Sequence, residues 1–169
     1  MEKGDLTYRI NGCAMTVQSK LKRGCMEYVY CRALAIELRR ARISFEREIW
    51  LPIHYENFRI AYRRCDFLCE NTVLLEIKAK GVLGKEDLVQ TLNMLEILNL
   101  RDGLLLNFGS DKLEYHHIFN NKVRSQIEFS DVTADMVGEV DEDLCESRHY
   151  LPAWMVEREQ REKRKRKKV

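Results

Sequence analysis

Apolar residues recur every three to four positions in three parts of the chain and predict three amphipathic helices. The first helix spans about residues 5–20, and the second spans about residues 25–40 after a break at Gly24. The third begins at Gly84, has acidic residues in its first turn and ends before Asn99. Two helices therefore precede the part of the chain that contains strands.

Strand-length segments rich in apolar, β-branched or aromatic residues lie between and after the helices. Strands are predicted over residues 43–54, 58–68, 73–79, 104–108 and 113–119. Short turns join the first three, so they form an antiparallel meander, and Pro52 places the first strand at an edge or a bulge. The continuous apolar run of the fourth is typical of an interior strand. The pattern predicts a mixed α/β (α+β) fold with helices flanking a central mixed sheet.

The third predicted strand carries candidate chemistry in the triplet Glu76-Ile77-Lys78. Side chains alternate along a strand, so Glu76 and Lys78 leave one face while Ile77 leaves the other. If residues 58–68 form the antiparallel neighbour, Asp66 comes alongside this pair. Two converging carboxylates suit a hard cation such as Mg²⁺, and a lysine beside it can act on water or offset phosphate charge. This arrangement suits metal-assisted phosphodiester hydrolysis.

The same residues also have a structural interpretation. A strand that carries a Glu and a Lys is commonly half solvated, and an Asp followed by Glu-x-Lys is a short pattern that arises often by chance. Glu27, at the head of the second helix, is either a residue at the rim of the core or a carboxylate directed into a pocket. The residues alone leave both alternatives open.

Composition indicates one globular domain without membrane association. The chain has 169 residues, of which 45% are hydrophobic and 33% are charged, which allows a sizeable core. No apolar run reaches the length of a membrane span, and the first residues lack the apolar segment of a signal peptide. We therefore expect a cytoplasmic location.

Cysteine and histidine residues show no metal-binding spacing. The six cysteines include no C-x-x-C pair, so buried free thiols are expected, and no spacing supports an iron–sulfur cluster. Cys65 and Cys69 are predicted to share one strand face. His116 and His117 are adjacent and face opposite ways on a strand, so exposed or hydrogen-bonded imidazoles are expected.

Charge is distributed unevenly along the chain. Residues 157–169 hold eight basic and three acidic residues, or +5, which leaves −3 for the preceding body of a chain with net charge +2. Residues 128–146 contain eight acidic residues and no Lys or Arg. We expect an acidic extension packed on the core over residues 121–156 and a disordered tail over residues 157–169.

The tail contains a basic run formed by Lys163, Arg164, Lys165, Arg166, Lys167 and Lys168. Such a run binds phosphate backbones without sequence preference. It also has the form of a nuclear-localisation signal, which would place the protein in the nucleus of a eukaryotic host. A solubilising tail and pairing with the acidic segment stay open as alternatives. The whole extension also offers a surface to a protein partner.

Gly24, Glu27 and Tyr30 stand in the segment G-C-M-E-Y-V-Y, which resembles the motif of the GxxExxY family of the PD-(D/E)XK nuclease superfamily. The resemblance spans about residues 6–119, and the joint order and spacing of its short segments make it specific. It implies a restriction-endonuclease-like core over residues 1–120.

The resemblance also implies roles for individual residues. The implied ligands of Mg²⁺ or Mn²⁺ are Asp66, Glu76, the carbonyl of Ile77 and Glu27, the last as an outer ligand or an orienter of bound water. Lys78 would position the attacking water or stabilise the pentavalent phosphate, and Gln90 would hold that lysine or the substrate. Arg64, next to Asp66, is a candidate contact to the nucleic acid. Tyr30 is expected in the core rather than at the site.

One position departs from the family pattern. Gln18 stands where the family has a histidine, and the turn at Leu21–Gly24 is poorer in glycine than usual. The resemblance implies a metal-dependent nuclease, with DNA favoured over RNA as the substrate and RNA left open. The alternative is a catalytically weak or inactive module of the same fold that binds nucleic acid or a protein partner.

Overall fold

The computed structural model describes residues 3–56 and 58–123. The helices are α1 (Lys3–Leu21), α2 (Glu27–Arg40) and α3 (Lys85–Ile97). The strands are β1 (Phe45–Tyr55), β2 (Phe58–Cys69), β3 (Val73–Lys78), β4 (Asp102–Asn107) and β5 (Glu114–Phe119). These bounds agree with the predicted elements to within two residues. No helix in the described ranges is both long enough and apolar enough to cross a membrane.

The strands form one mixed sheet of five strands in the order β1-β2-β3-β4-β5. β3 is antiparallel to β2 and parallel to β4, and β5 is antiparallel to β4. The parallel connection from β3 to β4 passes through α3, as such a connection requires a crossover. β1 is an edge strand, which suits Pro52, and β4 is an interior strand, as its apolar run predicts. The mixed α+β fold with a flanked central sheet is confirmed.

Helices cover both faces of the sheet, and alternation along β3 decides which side chain meets which helix. Val73 and Ile77 pack in the cluster formed with α1 and α2. Leu74 points the other way and packs with Met94 and Leu95 of α3. Even-numbered residues of β3 therefore face α3, so its two charged side chains leave the sheet on that side.

The prediction that Cys65 and Cys69 share a face is wrong. Cys69 packs in the cluster of α1 and α2, whereas Cys65 packs in the cluster of α3. The alternation of side chains along β2 is therefore interrupted at Asp66. This residue directly precedes Phe67–Cys69, the part of β2 that pairs regularly with β3. Burial raises the pKa of both thiols to about 12, so the expectation of inert buried thiols fits these two residues.

The chain divides into two compact units. The larger unit contains the described residues 3–51 and 64–123, with both packing clusters. The smaller unit contains the described residues 52–56 and 58–63, in which the Arg59 guanidinium lies 4.9 Å from the centre of the Tyr62 ring. The acidic extension beyond residue 123 and the basic tail, with Lys163–Lys168, lie outside the described residues.

Gly109 lies directly after β4, where the backbone passes against Lys80. A Cβ atom at Gly109 would overlap the backbone N, C and O atoms of Lys80, which cannot move aside as a side-chain end can. Gly109→Ala is therefore expected to lower the free energy of unfolding by about 1–3 kcal/mol, measured by urea denaturation. Gly81→Ala is the matched control, because its Cβ would meet nothing within 4 Å. Equal losses in the two variants would contradict the overlap.

Candidate active site

Asp66 lies where β2 and β3 cease to pair regularly. The described ladder ends with Phe67 opposite Leu75, and the Oδ2 atom of Asp66 then accepts the backbone N–H of Ile77 at 2.8 Å. A side-chain carboxylate thus takes the place of a backbone carbonyl and is fixed beside the end of β3. Burial raises the pKa of Asp66, although the hydrogen bond from Ile77 and the charge of Lys78 oppose the rise.

The two oxygens of the Glu76 carboxylate have different environments. Oε1 accepts hydrogen bonds from Lys78 Nζ at 2.7 Å and from Gln90 Nε2 at 3.2 Å. Oε2 is buried and has no hydrogen-bond partner among the described residues. Burial, and secondly the charge of Asp66, raise the pKa of Glu76 to about 7. A carboxylate oxygen that is held in place and unpaired is suited to bind a cation.

Lys78 lies beside Glu76 on the face that α3 covers and is only 9% exposed. Burial lowers its pKa, but the hydrogen bond and the charge of Glu76 outweigh burial, so the pKa is raised overall. Lys78 is therefore a fixed cation rather than a proton acceptor. It is suited to orient a water molecule or to offset charge on a phosphate.

The loop before α2 owes its shape to two residues of the motif. Gly24 has a φ of 106°, a conformation that glycine adopts without steric cost. The Tyr30 hydroxyl donates to the carbonyl of Lys22 at 2.8 Å and accepts the backbone N–H of Cys25 at 3.1 Å. The Tyr30 ring is fully buried, which confirms its expected place in the core. The hydroxyl also closes the loop that leads into Glu27.

Glu27 is half-buried at the first position of α2 and interacts electrostatically with Asp66. Burial, and secondly the charge of Asp66, raise the pKa of Glu27, while Lys78 and Arg64 oppose the rise. Glu27, Asp66 and Arg64 all line one cleft. Of its two interpretations, the carboxylate directed into a pocket is therefore the one that agrees with the structure.

The cleft lies between the first turn of α2 and the strands β1 and β2, and its volume is about 330 Å³. We call it the arginine cleft. Its charged lining residues are Arg32, Arg47, Arg64, Glu27, Glu48 and Asp66. Glu48 has a φ of 53° within β1, a conformation that is uncommon for a residue with a side chain. Arg32, Arg47 and Glu48 were not among the predicted site residues, since arginines and glutamates along the chain carry no distinguishing local signal.

Asn107 is a further residue that motif reasoning did not single out. Its Oδ1 atom accepts the backbone N–H groups of Lys80 and Gly109, each at 3.0 Å. Its Nδ2 atom donates to the carbonyl of Lys80 at 2.9 Å and to Glu114 at 3.1 Å. The fully buried amide thus ties the backbone that follows Lys78 to β4. The available signal was one polar residue at the end of an apolar run.

Gln18 is buried, and its side chain contacts the loop after β4. Its Nε2 atom donates to the carbonyl of Ser110 at 2.9 Å, and its Oε1 atom has no hydrogen-bond partner among the described residues. A neighbouring ion pair, Arg23 with Asp111 at 3.0 Å, also joins the loop before α2 to the loop after β4. Gln18 therefore ties α1 to the loop after β4.

His116 and His117 are hydrogen-bonded, which agrees with the expectation for these two residues. His116 Nε2 lies 3.2 Å from Glu114, and His117 Nε2 lies 3.1 Å from Asp102. Each imidazole is paired with a carboxylate of β4 or β5. Neither therefore points to a metal site.

The carboxylates of Asp66 and Glu76 have the donor chemistry of a divalent-cation site, with one restriction. Within residues 3–56 and 58–123, no group of three or more His, Cys, Asp or Glu side chains is placed to hold a metal ion. Mg²⁺ is commonly held by one or two carboxylates, with water and substrate phosphate as its other ligands. The unpaired Oε2 atom of Glu76 supplies a donor of the right chemistry. This donor chemistry is that of a Mg²⁺ or Mn²⁺ site whose other ligands are water and substrate.

Comparison with known proteins agrees with this geometry. A family model for the PD-(D/E)XK nuclease superfamily matches residues 4–118, which include almost all of α1 and of β5 and every element between them. No curated protein and no solved structure is significantly similar to the chain. The matched range contains every site residue described above.

Proposed function

The chain belongs to the PD-(D/E)XK nuclease superfamily, and we propose that it is a nuclease that hydrolyses phosphodiester bonds of DNA with Mg²⁺ or Mn²⁺. The observation that carries the proposal is the Glu76 carboxylate. Lys78 and Gln90 hold its Oε1 atom, while its Oε2 atom is buried and unpaired. A buried polar atom without a partner is costly in a structural role but is accounted for by a ligand.

In this proposal, Asp66 and Glu76 hold the cation, and each carboxylate is oriented by its own partners. The backbone N–H of Ile77 orients Asp66, and Lys78 and Gln90 orient Glu76. A bound divalent cation supplies Lewis-acid activation of the phosphate and lowers the pKa of a coordinated water. The carbonyl of Ile77 stays a proposed third ligand.

Two further side chains act around this pair. Lys78, which remains protonated, holds the attacking water or offsets the charge that develops on the phosphate. Glu27 is proposed to orient a bound water, since it lines the cleft with Asp66 but joins no three-carboxylate metal group in the described ranges. Gln90 keeps Glu76 in place from α3.

We assign the chain to the GxxExxY family within the superfamily. The supporting observation is that the three motif residues cooperate: Gly24 supplies the left-handed turn, Tyr30 closes the loop through its hydroxyl, and Glu27 begins the following helix inside the cleft. The proposed role of the three motif residues together is therefore to place the Glu27 carboxylate in the cleft.

The remaining expectations concern partners and location. We propose residues 1–120 as the nuclease domain, with Arg64 and Lys163–Lys168 as contacts to the DNA backbone. The cytoplasmic location, the nuclear alternative in a eukaryotic host and the protein partner of the extension remain predictions from the sequence.

The test is cleavage of plasmid and single-stranded DNA by the purified full chain with Mg²⁺ or Mn²⁺. We expect cleavage that EDTA abolishes and that Asp66→Ala loses, because the cation then lacks one of its two carboxylates. Retained folding of the variant is checked by its far-UV circular dichroism. Absence of cleavage by the wild-type protein on every DNA and RNA substrate would favour the non-catalytic binding module instead.

A further inference from the structure

The arginine cleft has more charge and more aromatic surface than a pair of metal ligands needs. Asp66 and Glu27 line the cleft, and so do Arg32, Arg47, Glu48 and the exposed Tyr28. Glu76 and Lys78 do not line it. The cleft adjoins the proposed catalytic residues, because Asp66 lines it and is hydrogen-bonded to Ile77, which lies between Glu76 and Lys78 in the chain.

The charged side chains that line the cleft balance one another in number. Its three arginines are matched by the three carboxylates of Glu27, Glu48 and Asp66. A divalent cation on Asp66 would turn the balanced cleft into a cationic one and so attract a phosphate. The first turn of α2 adds positive potential to the cleft, because the positive end of the helix dipole lies there and Met26 provides no side-chain cap.

Arg47 has a donor that no described residue accepts. Its guanidinium lies 5.3 Å from the centre of the Phe67 ring, and its nearest carboxylate is Glu48, at 3.8 Å. Its Nε atom is buried without a hydrogen-bond partner among the described residues. A buried guanidinium N–H without an acceptor is costly, so an anion in the cleft would remove the penalty.

Tyr28 presents its ring at the mouth of the cleft. The side chain is 53% exposed, although it follows directly after the half-buried Glu27. The guanidinium of Arg32 lies 5.2 Å from the centre of the ring and so restrains it. A restrained, exposed aromatic ring beside arginines is the arrangement on which an unpaired base stacks.

We propose that the arginine cleft is a nucleotide subsite, in which Arg47 and Arg64 bind the phosphate next to the scissile one and Tyr28 stacks on its base. This inference rests on the proposed nuclease function. A base can reach Tyr28 only when it is released from the duplex stack, so the substrate is single-stranded at that position, as in a single strand or a duplex with a single-stranded overhang.

Binding is measured with the Lys78→Met protein and Mg²⁺, so that the bound DNA stays uncut. The probes are a single strand, an overhang duplex and a blunt duplex, each with 2-aminopurine at the terminal position, and anisotropy gives the affinities. We expect the first two to bind about tenfold or more tighter than the blunt duplex, with quenching of 2-aminopurine by stacking.

Substitutions in the same background separate stacking from general binding. Tyr28→Ala is expected to weaken single-strand binding by about 5- to 150-fold, and Tyr28→Phe to restore it, because only the ring is needed. Arg47→Met is expected to reduce the salt dependence of the DNA affinity by the amount that corresponds to about one phosphate contact. Tyr8→Ala is the matched control, since Tyr8 is 79% exposed on α1 and lies outside the cleft.

The results also distinguish a failure of this inference from a failure of the proposed nuclease function on which it rests. Cleavage by the wild-type protein with equal binding of blunt and single-stranded DNA, or with no effect of Tyr28→Ala, would overturn the subsite and leave the nuclease. Preferential single-strand binding that depends on Tyr28, without cleavage by the wild-type protein, would support the subsite and overturn the nuclease.

Discussion

Lys78→Met is expected to slow phosphodiester cleavage by about 10²- to 10³-fold, the effect of removing one fixed charge from a reacting centre. The Lys78 ammonium is buried and bound to Glu76 at 2.7 Å, so its position is set before substrate arrives. No other described lysine shares this placement, because Lys80 is engaged by Asp87 at 2.7 Å. The methionine retains the length and the apolar stem of the lysine, so packing against α3 is preserved.

The measurement is a single-turnover cleavage rate at saturating Mg²⁺, together with the thermal shift that Mg²⁺ causes. We expect the rate to fall while the thermal shift persists, because Asp66 and Glu76 are intact. Lys85→Met is the matched control, as Lys85 is exposed at the start of α3. Cleavage by Lys78→Met at the wild-type rate would contradict the assigned role and would indicate a contaminating nuclease.

Glu76→Gln is expected to raise the stability of the metal-free protein at pH 8 by about 3 kcal/mol. The folded-state pKa of Glu76 is about 7, against an ordinary value of 4.5, chiefly because the group is buried and secondly because Asp66 is near. Between pH 4.5 and about pH 7, the Glu76 carboxyl group keeps its proton in the folded protein but has released it in the unfolded chain. The contribution of Glu76 to the free energy of unfolding is therefore fully present below about pH 4.5 and is lost as the pH rises through about 7.

Glutamine cannot ionise, so the variant avoids this loss. We expect the stabilisation to be large at pH 8 and small at pH 5, measured by urea denaturation in EDTA. Some pH dependence should remain, because burial also raises the pKa of Asp66 and Glu27. Glu46→Gln, on an exposed position of β1, is the control.

We expect Mg²⁺ to stabilise the wild-type protein at pH 8 and expect the same variant to lose this stabilisation. In the proposed function an ionised Glu76 binds the cation, so ion binding is expected to offset the cost of the buried charge in the wild-type protein. A lower stability of metal-free Glu76→Gln at pH 8 would contradict this account, since it would mean that the ion pair with Lys78 outweighs the burial of the carboxylate.

The site was predictable where its chemistry follows from neighbours in the chain. Glu76 and Lys78 are two residues apart on a strand, so alternation alone placed them on one face, and the structure has them hydrogen-bonded there. Gln90 and Glu27 came from the resemblance and not from periodicity. The structure brings Gln90 to 3.2 Å from Glu76 and places Glu27 in the cleft with Asp66.

Other parts of the site carried no such signal. The alternation that predicted one face for Cys65 and Cys69 fails at Asp66, where the carboxylate replaces a backbone acceptor of the ladder. The hydrogen bonds between Asn107 and the backbone of Lys80 join residues that are far apart in the chain, and so does the arginine cleft around Tyr28 and Arg47. Their meeting depends on register and packing.

The sequence by itself determined the eight elements, the mixed class of the fold and the charged face of β3, because periodicity is a local property that neighbouring residues express together. Only the tertiary structure decided that Asp66 enters the β2–β3 junction, that an oxygen of Glu76 stays unpaired and that arginines gather beside α2. Those features arise where separate elements pack, and burial there sets both the geometry and the pKa values of the site.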